Sequence, residues 1–226
     1  MKTLVRSLTL FTASLFLISC GGGGSSDGVQ AGKFTILGTR TDGADSSAAK
    51  ANAENTLVRY PGVNGMVGLW AYNAPACLEA LQAAGRTDVK LFSFDEQDAA
   101  LQGIIDGHIE GTIVQQPYEF GYQSVRFLKD IKDGNQITIP DNKEIDIEAK
   151  TITKDNVTAY WAKLKELQAI GEAAKAAPAP VSDTRFAFVI NNPDPFWEYA
   201  RAGCFKGQQD FNVSVDFLAP PTGATA

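Results

Sequence analysis

The chain has 226 residues, of which 44% are hydrophobic and 20% are charged, and its formal net charge is −6. This composition is typical of a globular α/β protein and excludes a disordered or fibrous chain. The acidic balance argues against a nucleic-acid partner, which requires a basic face. The single histidine, His108, excludes most multi-histidine metal sites and any mechanism that needs two histidines. We expect no metal and no cofactor.

Residues 1–20 have the features of a targeting segment. Lys2 and Arg6 supply positive charge, residues 8–18 form an apolar core too short for a permanent membrane span, and Cys20 follows. This order resembles a bacterial lipobox, which implies cleavage before Cys20 and acylation of that cysteine. We therefore expect a lipid-anchored protein in the periplasm or at the cell surface. An ordinary secretory signal with a chance cysteine is the alternative.

A glycine- and serine-rich segment follows at residues 21–32. A glycine run can bind phosphate when it joins a strand to a helix, but no strand precedes this one. The segment is therefore predicted to be a flexible tether between the membrane and a folded domain.

From residue 33 to residue 172, apolar runs that indicate strands alternate with periodic stretches that indicate helices. The predicted strands are 34–37, 66–70, 89–94, 112–115 and 149–153, and the predicted helices are 46–60, 75–84, 96–106, 119–131 and 156–167. Gly85, Gly107 and Gly134 follow helices, as expected of C-terminal caps. Nearly continuous apolar strands separated by helices predict a parallel sheet covered on both faces.

The remaining chain divides into a linker and a further α/β unit. Residues 173–184 are rich in alanine and proline and are predicted to be a linker, and residues 185–226 read as strand, helix and strand. Cys77 and Cys204 both lie in helical patterns with small or apolar neighbours. Two buried, unpaired thiols are the simpler interpretation, and a disulfide between them is the alternative in an exported protein.

Polar or aromatic side chains follow the predicted strands. Ligands of open α/β sheets bind at the carboxyl ends of the strands. Carboxylates and amides form paired hydrogen bonds with sugar hydroxyls, and aromatic rings cover the apolar faces of sugar rings. The candidate residues are Arg40, Asn73, Asp95, Gln115, Asn192, Phe196 and Trp197. Helix capping could explain Asn73 or Asp95 singly, and core packing could explain the two rings. A candidate at each of several strand ends favours a binding site.

Several of these segments resemble the type I periplasmic sugar-binding proteins, the ribose-binding-like family. The matching segments are residues 69–73, 94–96, 111–117 and 190–197. The resemblance implies an α/β fold with doubly wound parallel sheets in two Rossmann-like lobes, one of them incomplete here. It implies hydroxyl contacts from Asn73, Asp95, Gln115 and Asn192, ring stacking from Phe196 and Trp197, and a place for Arg40 in another wall of the pocket.

The resembling segments come in an unusual order. Residues 33–172 resemble the second half of the family, and residues 185–226 resemble its beginning. The middle of the family, which supplies an arginine and a carboxylate to the site, has no counterpart in this sequence. We expect a permuted, truncated or fragmentary copy of such a protein, and the identity of the sugar stays open.

The resemblance implies a lipid-anchored solute-binding protein of a sugar ABC importer. Such a protein binds a monosaccharide by hinge closure of two lobes and delivers it, as a monomer, to a membrane permease. A sugar-sensing module for a membrane signalling partner and an inactive fragment are the alternatives. An enzyme is disfavoured, because the sequence has no nucleophile elbow, dinucleotide fingerprint or P-loop, and His108 lies at the opposite end from the strand exits.

Overall fold

The computed structural model describes residues 28–220, except residues 138, 179 and 193. The predicted signal peptide, the lipidation site at Cys20 and most of the tether lie outside these residues. The chain divides into two compact units, residues 1–41 and residues 42–226. Among the described residues, none of the helices combines the length and the apolar character needed to cross a membrane.

The described part of the first unit contains a β-hairpin. Strands β1 (Val29–Ala31) and β2 (Phe34–Ile36) pair in the antiparallel sense, with Val29 opposite Ile36. The prediction that residues 34–37 form a strand of a parallel sheet is therefore wrong. Gly32 adopts a left-handed backbone conformation at φ 61°, which glycine tolerates. It lies in the tight turn that joins β1 to β2.

The second unit alternates helices and strands. Its elements are α1 (Ser46–Arg59), β3 (Gly65–Gly68), α2 (Asn73–Ala83), β4 (Lys90–Phe94), α3 (Asp98–Asp106), β5 (Gly111–Val114), α4 (Pro117–Asp133), β6 (Lys150–Ile152), α5 (Val157–Ala174), β7 (Arg185–Val189), α6 (Phe196–Phe211) and β8 (Ser214–Leu218). The predicted α/β class is confirmed. Gly107 and Gly134 end α3 and α4 in the left-handed conformation, as predicted. Helix α5 runs beyond its predicted end at residue 167, into the predicted linker.

Strands β3, β4, β5 and β6 form one sheet in that order. The β3–β4 and β4–β5 pairs are parallel, but β6 is antiparallel to β5, with Val114 opposite Lys150. The prediction of a fully parallel sheet is therefore wrong at β6. Because α4 and the residues after it return the chain to the carboxyl end of β5, β6 begins where β5 ends.

One face of this sheet carries the core. Leu91 and Val114 are fully buried there, and α2 packs against β3 and β4. On the other face, Val67, Phe92 and Ile113 are 63%, 46% and 37% exposed. The sequence predicted a sheet covered on both faces. In the part of the chain that the structure describes, only one face is covered, so that prediction is wrong here.

Strands β7 and β8 form a separate parallel pair supported by helices. Helix α6 packs against both α4 and α5. The contact with α4 is close, because a Cβ atom on Gly121 would lie 2.1 Å from the carbonyl oxygen of Ala200. Val125 of α4 and Cys204 of α6 are buried in the small core of this region. Cys77 and Cys204 are both buried and unpaired, as the simpler interpretation predicted.

Candidate functional site

The exits of β4 and β5 are joined by side-chain hydrogen bonds. Gln115 Nε2 donates to Asp95 Oδ1 at 2.9 Å, and the Thr112 hydroxyl donates to the Asp95 carbonyl oxygen at 2.7 Å. The backbone N–H of Asp95 donates to the Ile113 carbonyl at 2.8 Å, which extends the ladder past the end of β4. Burial raises the pKa of Asp95, and the hydrogen bond from Gln115 opposes that shift. Two predicted site residues, Asp95 and Gln115, are thus in direct contact.

The exit of β3 is closed by Asn73 and Tyr72. Asn73 Nδ2 donates to the Leu69 carbonyl at 2.6 Å, and the Tyr72 hydroxyl donates to Asp42 Oδ1 at 2.8 Å. The bond from Tyr72 lowers the pKa of Asp42 below its ordinary value, and the Asn73 side chain contributes in the same direction. Asn73 therefore fixes the turn that follows β3.

Helix capping does not account for Asn73 or Asp95. The N-cap residue of α2 is Tyr72 and that of α3 is Gln97, and neither helix has a side-chain cap bond. Asn73 is already the first residue of α2, and Asp95 lies two residues before the N-cap of α3. Capping therefore does not explain their positions: the Asn73 side chain holds the turn after β3, and Asp95 accepts a hydrogen bond from Gln115.

The loop before α6 carries the predicted aromatic pair. Trp197 Nε1 donates to Asn192 Oδ1 at 3.1 Å, which ties the two ends of the loop together. The rings of Phe196 and Trp197 are nearly perpendicular, with centroids 5.0 Å apart. Phe196 also contacts Phe120 of α4, and Trp197 contacts Phe188 of β7. Both rings are half-buried, so they support the loop and still present surface to solvent.

Asp194 of this loop has a minor electrostatic effect on the carboxylates at the exit of β4. Asp194, between Asn192 and Phe196, is close enough for its charge to raise the pKa values of Asp95 and Glu96. Asp95 and Gln115 contact each other, and Asn192, Phe196 and Trp197 contact one another on the loop before α6. Arg40 is exposed and belongs to the first unit, so its predicted role stays a prediction.

Glu96 is a part of this region that the sequence analysis did not select. Both carboxyl oxygens are inaccessible to solvent and have no partner at hydrogen-bonding geometry among the described residues. Burial, with a smaller effect from the charge of Asp95, raises the pKa of Glu96 to about 8, although the nearby Tyr160 hydroxyl opposes the shift. The sequence predicted a helix from residue 96, but α3 begins only at Asp98, so Glu96 lies in the loop that follows β4. A pair of adjacent carboxylates after a buried strand was the available signal.

A cavity of about 590 Å³ adjoins these residues between α4, α5 and α6. Gln115, Tyr160 and Tyr199 line it, together with apolar side chains such as Leu164. Its volume is in the range of small-molecule sites. Within the described ranges, no group of three or more histidine, cysteine, aspartate or glutamate side chains could hold a metal ion.

Comparisons with known proteins agree on one family. A family model described as periplasmic binding protein domain matches residues 24–136. The ribose import binding proteins of Salmonella typhimurium and Escherichia coli are each 28% identical to this chain over 116 residues, which are 51% of this chain and 39% of those proteins. The chain thus spans about two fifths of the length of the curated relatives it matches.

A solved structure shares the fold. An ABC transporter solute binding protein from Agrobacterium vitis, with bound D-fucose, is 23% identical to this chain. The match covers 57% of this chain and 43% of that protein, with a TM-score of 0.50. At this level of identity the likeness concerns the fold alone.

Proposed function

This chain belongs to the periplasmic binding protein domain family, and from that premise we propose that it binds a sugar at the exits of β4 and β5. The observation that carries the proposal is the hydrogen-bonded pair of Asp95 and Gln115 at two neighbouring strand exits, and the aromatic pair on the loop before α6 supports it. The curated relatives are named as import binding proteins for ribose, which favours binding over catalysis.

The arrangement suits a polyhydroxylated ligand. Gln115 occupies Oδ1 of Asp95, which fixes the carboxylate and leaves Oδ2 to accept a hydrogen bond from a ligand hydroxyl. The Asn192 amide nitrogen supplies a donor, because its oxygen already accepts from the Trp197 indole. The exposed parts of Phe196 and Trp197 offer an apolar surface for the C–H face of the ring. Polar and apolar contacts together are what a sugar requires.

We further propose that the ligand is a monosaccharide, that Asn73 and Arg40 also contact it, and that the protein delivers it to an ABC permease. Anchoring at Cys20 would hold the monomeric protein on the periplasmic or outer side of a membrane, with residues 21–32 as the tether. The lipobox-like order of the leader and the glycine-rich segment support this part of the proposal. In the mechanism that this proposal implies, two lobes close around the ligand and together form the complete site.

Thermal unfolding with a sugar panel tests the proposal. The full chain is melted alone and with D-ribose, D-fucose, D-xylose, D-arabinose, D-glucose or D-galactose. A ligand at about a hundred times its dissociation constant adds about 2.7 kcal/mol to the free energy of unfolding. For a chain of this size that raises Tm by about 5–11 °C. If none of the sugars in the panel bound saturably, the proposed function would be overturned.

A matched pair of aspartate variants locates the site. Asp95→Asn removes the negative charge of the carboxylate that accepts a hydrogen bond from the ligand hydroxyl. We expect the affinity for the sugar to fall by about 10- to 100-fold. Asp88→Asn is the control, because Asp88 lies before β4, at the opposite end of the strand, in an ion pair with Arg86. Equal affinity losses in both variants would contradict the assignment of Asp95.

A further inference from the structure

Trp70 has an unusual combination of exposure and backbone conformation. It lies two residues after the end of β3, and 63% of its surface is exposed. Its φ angle is +74°, in the left-handed region that bulky residues rarely adopt. Such conformations persist only where the surrounding structure enforces them, and they cluster at ligand sites. The exposed indole therefore sits on a backbone that costs stability.

The surrounding turn holds Trp70 in place from both sides. A Cβ atom on Gly68 would lie 2.5 Å from the backbone nitrogen of Ala74, so β3 passes directly against the start of α2. The backbone N–H of Asn73 donates to the Trp70 carbonyl at 3.1 Å, and the Asn73 side chain donates to the Leu69 carbonyl at 2.6 Å. Close packing and two hydrogen bonds thus fix the backbone between Trp70 and Asn73.

The register of the sheet places Trp70 level with Asp95. Gly68 of β3 is paired with Ser93 of β4, so Trp70 and Asp95 each stand two residues beyond paired positions. Asp95 is also left-handed, at φ +61°. Neighbouring strands are about 4.8 Å apart. The two neighbouring strand exits therefore each carry a residue with positive φ at matching positions, a carboxylate residue in one and a tryptophan in the other.

We propose that Trp70 is a further ligand-contacting residue whose ring covers the apolar face of the sugar that Asp95 and Gln115 hold. This inference rests on the proposed function and adds a determinant of specificity to the same site. An indole that is mostly exposed in the free protein gains little from the core, and it gains apolar contact when a sugar ring lies on it. Sugars with a continuous C–H face bind more tightly than sugars whose axial hydroxyls interrupt that face.

Two substitutions of Trp70 separate a ligand contact from a structural role. Trp70→Gly removes the ring and accepts the left-handed backbone freely, so we expect an unchanged or higher Tm and an affinity about tenfold lower. Trp70→Phe keeps an aromatic face, so its affinity stays within about threefold of the wild-type value. Trp161→Phe is the control, since Trp161 lies on α5 and donates to Asp98. It leaves sugar affinity unchanged.

The experiment measures Tm and, by calorimetry, the affinity of the full chain for whichever of the six panel sugars binds the wild-type protein. Wild-type binding with unchanged affinity in Trp70→Gly would overturn the inference and leave the proposed function intact. Absence of wild-type binding would overturn the proposed function itself, and the inference with it.

Iodide quenching of tryptophan fluorescence gives a second readout that does not need Trp70→Gly to fold. Sugar reduces the quenching of the wild-type chain because it covers Trp70 as well as Trp197. The reduction is smaller in Trp70→Phe, where only Trp197 is covered, and is kept in full in Trp161→Phe. The same reduction in all three proteins would overturn the inference.

Discussion

Glu96→Gln should remove most of the pH dependence of stability near neutral pH. The carboxyl group of Glu96 is buried without a hydrogen-bond partner among the described residues, and its pKa is raised from 4.5 to about 8. The folded protein therefore keeps a proton at a pH where the unfolded chain has released it. Glutamine has nearly the same shape and does not titrate, so the variant isolates this proton.

The sign and size follow from proton linkage. Between the two pKa values the folded state binds nearly one more proton than the unfolded state, so the free energy of unfolding falls as pH rises. The loss is about 1.4 kcal/mol for each pH unit. From about pH 5.5 to about pH 7.5 the wild-type chain loses about 2–3 kcal/mol through this group. That corresponds to a fall in Tm of about 5–10 °C for a chain of this size.

Thermal unfolding of both proteins across this range is the assay. Glu96→Gln should match the wild-type chain near pH 5.5 and exceed it near pH 7.5. Two further variants check the cause: Tyr160→Phe removes a group that lowers the pKa of Glu96, and Asp95→Asn removes a charge that raises it. The pH at which half of this stability is lost should therefore be higher in Tyr160→Phe and lower in Asp95→Asn. Parallel pH profiles for the wild-type chain and Glu96→Gln would refute the reasoning.

Two other predictions concern packing and the thiols. Gly121→Ala should lower the free energy of unfolding by at least about 2 kcal/mol in urea titrations, because its Cβ atom would meet the Ala200 carbonyl at 2.1 Å. Gly62→Ala, with open space around its Cβ position, should not be destabilised by overpacking, and equal losses in both would contradict the packing argument. Burial raises the pKa values of Cys77 and Cys204 to about 11 and about 12, so both thiols should resist Ellman's reagent at about pH 8 until denaturant is added. If mass spectrometry found either cysteine modified within minutes in the native chain, the predicted resistance of the buried thiols would be disproved.

Much of the fold could be predicted from local patterns. Apolar runs such as residues 89–94 and 112–115 identified two central strands, and the left-handed glycines at Gly107 and Gly134 ended the helices where expected. These features depend on neighbouring residues alone, so a single sequence contains them. Pairing direction does not: β6 is antiparallel because of where α4 returns the chain.

The candidate site was predictable only as a set of strand exits. The contact between Asp95 and Gln115 joins residues 20 positions apart, and only the register of two parallel strands creates it. The Tyr160 hydroxyl of α5 lowers the pKa of Glu96, and the charge of Glu96 raises the pKa of Tyr199 of α6, so Glu96 has neighbours that no local pattern specifies. The left-handed backbone of Trp70 likewise lies in a turn where Gly68 passes tightly against α2, and no local pattern indicates it.

The close contact of α4 with α6 has a consequence for how the chain folds. The Tyr122 hydroxyl and Asp210, which bond across these helices, are 88 residues apart in sequence. Contacts at such separation require closure of a long loop and slow the search for the native state. While the polypeptide emerges from the ribosome or a translocation pore, the glycine-bearing face of α4 therefore stays uncovered until α6 has followed. During that interval the segment offers other chains a surface on which to associate.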